Sequence, residues 1–231
     1  MINKFLALTA SIALMLFNGN LISQTTLDYK DRVHPEISEK FMVVSQNYHA
    51  TEVGYKILEK GGNAIDAAVA MGFTLAVTLP RAGNLGGGGF MLLFDAKTKN
   101  LSTLDYRSAA PKLVKSSMYL TENGVVRYGH LVNAVPGTVA GLIKAHSTHG
   151  KLSLKQVMRP AIELAHKGIF VSNDLNFILN WGKESLLQNK ASKNKFYRNE
   201  EPLEINSLFR QPRLAKTLTL ISQKGHDVFY K

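Results

Sequence analysis

The chain has 231 residues, 45% of them hydrophobic, so it can bury a core as one large domain or two small ones. It contains no cysteine, which excludes a disulfide framework, a zinc–thiolate site and a cysteine nucleophile. The formal net charge of +11 is uneven: residues 1–111 hold 10 Lys and Arg against 9 Asp and Glu, and residues 112–231 hold 18 against 8. Such an excess fits an anionic partner or simply a solvated face.

The N-terminal segment has the layout of a secretory signal peptide, which we place at residues 1–23. Lys4 supplies a positive charge, residues 5–17 form an uncharged apolar run, and Ser23 is a small residue at which a protease could cut. That run is too short to span a bilayer and no other long apolar run follows, so we expect no stable membrane span. The sequence therefore predicts a periplasmic or secreted protein whose mature part is residues 24–231. A buried N-terminal helix is the alternative.

A short apolar strand over residues 42–45 is predicted next, followed by a helix over residues 50–60 that stops at two glycines. A second helix begins with Asn63 as its cap and carries Asp66 in its first turn, where a negative charge is favoured. It ends before Pro80 and is apolar nearly all round, with many alanines. Such a helix is expected to be buried and closely packed.

A glycine-rich run at residues 83–89 follows the second helix. Nucleotide loops run strand, glycines, helix, whereas the order here is helix, glycines, strand, and Gly-Lys-Ser/Thr does not occur. Nucleotide binding is therefore not predicted. The glycines indicate either positive φ angles or a very close approach to another segment. A tight structural passage and one wall of a ligand site fit equally well.

The remaining elements predict a mixed α/β chain with more helix than strand. Two strands, over residues 90–94 and 101–106, are joined by a polar turn. The basic and aromatic cluster at residues 193–198 is expected in a loop, and because charge without a recognised module is weak support, we predict no nucleic-acid partner. The further helices are predicted at residues 136–147, with proline in the first turn, 154–167, capped by Ser153, 173–187 and 212–224.

Arg107 is the candidate ligand-binding residue. It lies at the end of the second predicted strand, two residues past Asp105 and just before a turn. Ligands are often met where strand ends feed loops, and a guanidinium group offers a planar fork for a carboxylate. A salt bridge with Asp105 or an ordinary surface arginine is the alternative, which the residues alone favour because exposed arginines are common.

Pattern alone identifies no catalytic residue and no metal ligand. None of the seven histidines falls in a metal-binding spacing such as His-Glu-x-x-His, and no Gly-x-Ser-x-Gly elbow is present. His146 and His149 flank a predicted helix end, where solvation or interaction with the helix dipole is expected. Catalysis by these residues alone is therefore not predicted.

Five sequence blocks resemble those of the γ-glutamyltransferases, also called γ-glutamyltranspeptidases, in the order and spacing of that family. The similarity covers about residues 41–231. The blocks are GGNAIDAAVA at residues 61–70, AGNLGGGGFM at 82–91, LDYR followed by AP within 104–111, VPGTVAG at 135–141 and FYK at 229–231.

The resemblance implies an α/β fold of the N-terminal-nucleophile hydrolase type, an α/β/β/α sandwich, present only in part. The chain would be the N-terminal portion of the large subunit. In that family an exported precursor cleaves itself, and the new N-terminal threonine of the small subunit attacks the γ-amide of glutathione or another γ-glutamyl compound. The γ-glutamyl group then passes to water, an amino acid or a peptide, without a metal or organic cofactor. The chain is expected to lack that threonine and to need the remainder of the large subunit and the small subunit.

Arg107 matches the family arginine that binds the α-carboxylate of the γ-glutamyl group, so the resemblance makes it the substrate-binding residue. Ser108 follows it where the family usually has glutamate, so the local support of the arginine is expected to differ. Two alternatives stay open. One is a related acylase for glutaryl-type amides, which would also use an arginine for a carboxylate. The other is an inactive truncated remnant or a non-enzymatic binding fragment.

Overall fold

The computed structural model describes residues 36–121, 124–125 and 129–231. Residues 41–231 belong to one compact unit and residues 36–40 to a separate N-terminal unit. The predicted signal peptide at residues 1–23 lies outside the described residues, so it stays a prediction, as does the boundary at residue 24. Among the described helices, none combines the length and the apolar character needed to cross a bilayer.

Helices supply most of the regular structure, as predicted. Single 3-10 turns lie at Ser116–Tyr119 and His130–Val132. The helices in chain order are α1 (Tyr48–Glu59), α2 (Ala64–Thr78), α3 (Thr138–His149), α4 (Leu154–Lys167), α5 (Asn173–Trp181), α6 (Lys183–Leu187), α7 (Lys190–Phe196), α8 (Pro212–Lys224) and α9 (Asp227–Tyr230).

The predicted caps of the two central helices are confirmed. At the start of α2, the Asn63 side chain accepts from the Asp66 N–H, while the Asp66 carboxylate accepts from the Asn63 N–H. The start of α4 has the same reciprocal pattern between Ser153 and Gln156. Such capping boxes satisfy amide groups that the first helical turn leaves without a partner.

One antiparallel hairpin is the main β structure. Strands β1 (Phe90–Asp95) and β2 (Asn100–Asp105) pair from Phe90 opposite Asp105 to Asp95 opposite Asn100. The other described strands are two residues long and pair as β3 (Leu120–Thr121) with β4 (Gly124–Val125), β5 (Ile169–Phe170) with β8 (Leu208–Phe209), and β6 (Tyr197–Arg198) with β7 (Glu201–Pro202). Sequence reasoning missed these short pairs, because two residues carry no readable alternation.

Two predictions are wrong, one at the start of the compact unit and one at the start of α3. Residues 42–45 form no strand, since they pair with no other described segment. Helix α3 begins at Thr138, so Pro136 does not lie in its first turn. Gly137 is the N-cap, and the N–H groups of Gly137 and Thr138 both donate to the Gly87 carbonyl.

Two further predictions fail near residues 173–198. The helix expected over residues 173–187 is interrupted at Gly182, which ends α5 and precedes α6. Part of the expected loop at residues 193–198 is helical, in α7. The Asn189 side chain accepts from the first amides of α7 and so starts this helix.

The core is built around α2, which confirms the prediction of a buried helix. Val69, Phe73 and Val77 on α2 are fully buried, and α1, α3 and α4 all pack against this helix. Helix α8 packs in turn against α4. A second, smaller apolar cluster lies farther along the chain and consists of Ile169, Val171, Leu175, Leu179, Tyr197, Leu203 and Phe209.

Asp66 ties the start of α2 to the loop between α3 and α4. Its side chain has no exposed surface, and besides the Asn63 N–H it accepts from the N–H groups of Lys151 and Leu152 at 3.1–3.3 Å. The nearby His146 Nε2 lies 2.9 Å from the Leu152 carbonyl, which can only accept, so Nε2 donates. Three backbone amides therefore depend on one buried carboxylate.

Asp66→Ala is expected to lower the free energy of unfolding by about 3 kcal/mol, because it leaves these amides without their charged acceptor. Urea denaturation followed by circular dichroism measures this loss. Glu52→Ala is the control, because Glu52 is an exposed carboxylate whose partner is Lys56 one helical turn away. The control should lose less than about 0.5 kcal/mol. Equal losses in both variants would contradict the role given to Asp66.

Candidate functional site

Arg107 lies two residues beyond the C-terminal end of β2, close to the predicted strand end. Its N–H donates to the Asp105 Oδ1 at 2.8 Å, which turns the chain sharply as it leaves the strand. On its N-terminal side, the Tyr106 N–H donates to the Gly89 carbonyl at 3.0 Å. On its C-terminal side, Ala109 and Val135 exchange two backbone hydrogen bonds. The arginine backbone is thus held on both sides.

The glycine-rich run approaches this backbone very closely. A Cβ on Gly88 would lie 2.5 Å from the Ser108 N and 2.7 Å from the Tyr106 O. None of the glycines at 83–89 has a positive φ angle. Of the two explanations offered for the run, close approach is therefore correct, and its structural role as a tight passage is confirmed.

A third segment, the turn before α3, closes on the same backbone. A Cβ on Gly137 would lie 1.9 Å from the Tyr106 carbonyl oxygen, and one on Gly141 would lie 2.1 Å from the Tyr106 ring. The Gly89 position meets the other end of that ring at 2.9 Å. Glycine backbone therefore packs against both ends of the half-buried ring, and burial raises the pKa of Tyr106.

Tyr230 forms hydrogen bonds with the turn before α3. Its hydroxyl donates to the Pro136 carbonyl at 2.8 Å and accepts from the Ala140 N–H at 3.1 Å. Sequence reasoning assigned no role to Tyr106 or Tyr230. Glycines four residues apart at 137 and 141, on one face of a helix start, were the available signal for a ring packed against them.

The Arg107 side chain is exposed and has neither a hydrogen bond nor a salt bridge to any residue of the described part of the chain. The expected alternative, a salt bridge with Asp105, is not formed, since Asp105 accepts from the backbone N–H instead. A guanidinium group with unused donors on a fixed backbone can bind a carboxylate bidentately. Whether it binds substrate stays a prediction.

An open groove of 880 Å³ lies beside this region. It runs between residues 41–46, the small residues of α2 and the start of β1, and Tyr106 lines it. Arg107 does not, so the groove and the guanidinium group are separate features. Among the described residues, no cluster of histidine and carboxylate side chains is arranged to hold a metal ion.

Comparison with known proteins identifies related sequences and structures. A family model described as gamma-glutamyltranspeptidase matches residues 50–231. The chain is 41% identical over 208 residues to the glutathione hydrolase proenzyme of Escherichia coli, covering 87% of this chain and 36% of the relative. For the glutathione hydrolase proenzyme of Pseudomonas aeruginosa the identity is 44% over 195 residues, covering 82% of this chain and 34% of the relative.

The fold agrees with these sequence matches. The crystal structure of Helicobacter pylori gamma-glutamyltranspeptidase superimposes with a TM-score of 0.82 at 38% identity, covering 86% of this chain and 58% of that one. The fold class predicted from the sequence blocks is thereby confirmed. The chain spans about a third of the length of the curated relatives it matches.

Gly88→Ala is expected to destabilise the protein by about 1–3 kcal/mol, because the new methyl group would meet backbone atoms that cannot rotate away. Gly87→Ala is the matched control, since a Cβ there meets its nearest atom at an ordinary 3.6 Å. Thermal melting of both variants measures the difference. Similar melting temperatures for the two variants would contradict the close approach at residue 88.

Proposed function

This chain belongs to the γ-glutamyltranspeptidase family, and we propose that it forms part of an exported γ-glutamyltransferase that also hydrolyses glutathione. Its substrates would be glutathione and other γ-glutamyl compounds, with water, amino acids or peptides as acceptors. Signal peptide 1–23 would direct it to the periplasm or the cell exterior. The observation that supports this function best is the exposed Arg107 guanidinium on a backbone fixed from three sides.

In the proposed mechanism, Arg107 binds the α-carboxylate of the γ-glutamyl group and so sets the distance from that carboxylate to the scissile γ-amide. Two parallel N–H···O bonds fix both position and direction, which a single ammonium group would not do. Exposure of the guanidinium group leaves its donors available for the incoming ligand. Holding the substrate this way converts the attack on the amide into an intramolecular step.

The nucleophile is proposed to come from outside these 231 residues, as the N-terminal threonine of a small subunit. Its hydroxyl oxygen forms a bond to the γ-carbonyl carbon while its α-amine takes the hydroxyl proton. The C–N bond of the amide then breaks, and the leaving amine takes up that proton. Water or an amine acceptor next displaces the γ-glutamyl group from the threonine oxygen, restoring the free hydroxyl.

The proposed protein partners are the remainder of the large subunit and the small subunit. One face of the β1–β2 hairpin packs on the core through Met91, Leu93 and Leu104. The other face is apolar yet 62–69% exposed and carries Phe90, Leu92, Phe94 and Leu101. An exposed apolar face of this kind marks an interaction surface, and a second sheet of the sandwich would cover it.

The test of substrate binding uses a chimera in which this chain replaces the corresponding part of the E. coli relative. We expect it to hydrolyse a chromogenic γ-glutamyl anilide, and Arg107→Ala to lower kcat/KM by about 10²–10³-fold, since the substrate carboxylate loses its charged partner. Arg107→Lys should recover only part of this loss. Arg81→Ala is the control, because Arg81 is paired with Asp174 elsewhere.

Four outcomes would contradict the proposal. Unchanged kcat/KM in Arg107→Ala would remove the assigned role, and preference for a glutaryl anilide would point to the acylase alternative. Turnover by the isolated chain that Arg107→Ala abolishes would place the nucleophile within these 231 residues. The non-enzymatic alternative predicts that the isolated chain binds glutamate measurably by calorimetry, and we expect no such binding.

The hairpin face generates a separate prediction about solubility. The isolated chain should associate in solution, and Leu92→Glu should reduce that association, because a charge on the exposed face opposes apolar contact. In the chimera the same change should reduce activity. Leu113→Glu is the control, since Leu113 is also exposed but lies outside the hairpin. Sedimentation velocity measures the association, and an equal effect of both substitutions would contradict a specific surface.

A further inference from the structure

A group of four cations brings together two separate segments of the chain. Lys195 on α7 donates to the Arg210 carbonyl at 2.9 Å, and its ammonium group lies 4.9 Å from the centre of the Phe209 ring. Arg198 follows α7 in β6, and Arg213 lies in the first turn of α8. The hydrogen bond from Lys195 to the Arg210 carbonyl places residues 195–198 beside residues 210–213. Burial lowers the pKa of Lys195, and the charges of Arg198 and Arg213 lower it further.

These four cations differ from the other basic residues around them. Lys193 and Lys183 are paired with Glu200 and Glu201, at 2.6 and 2.8 Å. In the described part of the chain, no carboxylate lies within salt-bridge distance of Lys195, Arg198, Arg210 or Arg213. Glu200 and Glu201 are thus paired with Lys193 and Lys183 and not with any of these four cations.

Backbone contacts fix three of these side chains without neutralising them. Arg198 donates to the carbonyls of Asn194 and Tyr197 at 3.2 and 2.8 Å. Arg210 donates to the Lys167 carbonyl at 3.1 Å, and Lys195 is held as described. A carbonyl oxygen satisfies a donor but carries no net charge. Lys195, Arg198 and Arg213 therefore carry positive charge in one neighbourhood without a paired carboxylate, and a multivalent anion would relieve their repulsion.

We propose that Lys195, Arg198, Arg210 and Arg213 form a binding site for clustered phosphate groups. Three of the four are arginines, whose planar forks match phosphate oxygens, and several adjacent charges suit a ligand with several adjacent anionic groups. The apolar residues beneath are not available for a peptide to bind, since Phe209 is only 3% exposed. This favours an anion recognised by charge over an acidic segment that needs apolar anchors.

The test uses the full 231-residue chain and linear inorganic polyphosphate as the probe, with affinity measured by calorimetry at two salt concentrations. We expect saturable binding that weakens as salt rises. The double variant Arg198→Gln with Arg213→Gln should bind at least about tenfold more weakly. The double control Lys112→Gln with Lys115→Gln removes the same charge from another segment and should bind as the parent does. Circular dichroism confirms that each variant is folded.

Two more probes separate the sources and the chemistry of the anion. Binding to vesicles of phosphatidylglycerol, compared with vesicles of phosphatidylcholine, shows whether lipid headgroups supply the phosphates. The site is supported if the chain binds either phosphatidylglycerol or polyphosphate and if that binding depends on Arg198 and Arg213. Poly-glutamate of equal charge competing as well as polyphosphate would overturn the phosphate assignment. Equal weakening by the control and the arginine variant, or no binding to any phosphate probe, would overturn the site itself.

Discussion

The absence of side chains at Gly88 and Gly137 is the constraint on which the candidate site depends. Both positions press against the backbone of Tyr106 and Arg107, at distances that no Cβ would allow. The end of β2, the glycine-rich run and the start of α3 can meet only because of this. The arginine is consequently placed by its backbone, and its side chain needs no structural partner of its own. A preorganised binding group is held in position by contacts that its ligand does not use, and the backbone contacts of Arg107 are of this kind.

A second constraint acts from the opposite end of the core. Asp66 holds the loop after α3 to the start of α2, while the glycine contacts hold the start of α3 to β2. Helix α3 is therefore fixed at both ends, by hydrogen bonds to a carboxylate at one and by backbone packing at the other. The hairpin rests on this frame with one face, and its other face is apolar and exposed. The side of the fold that carries Arg107 is thus closely packed where it meets the core and exposed along the outer face of the hairpin.

Local signals in the sequence were enough to predict the helices that have clear caps. Asn63 and Ser153 start α2 and α4 as predicted, and the buried character of α2 followed from its alanines. Residues 42–45 and Pro136 were misassigned, because β propensity and proline preference say nothing about whether a pairing strand or a competing backbone bond is present. The helix α7 was missed, since its seven residues include four lysine and asparagine residues with no apolar period.

Prediction of the site was limited in another way. Residue patterns alone favoured a surface role or a salt bridge for Arg107, and the family resemblance was needed to select it. The structure shows that Asp105 engages the backbone instead, a contact that spacing in the sequence cannot distinguish from a side-chain pair. The packing of Tyr106 against glycines from two other segments is a long-range feature. It joins residue 106 to Gly89, 17 positions earlier, and to Gly137 and Gly141, 31 and 35 positions later, which no local pattern encodes.

The chain therefore presents arginine in two physically different settings. Arg107 keeps its guanidinium donors free of the described residues and relies on a fixed backbone, so a single carboxylate can approach in one orientation. Arg198 and Arg210 each donate hydrogen bonds to backbone carbonyl oxygens. These bonds fix the positions of the two side chains but leave fewer N–H groups for a ligand. Recognition by the first involves a single charge pair and should weaken modestly as salt rises, whereas attraction by the second depends on several summed charges and should fall more steeply. The steepness of the salt dependence thus distinguishes the two proposed sites.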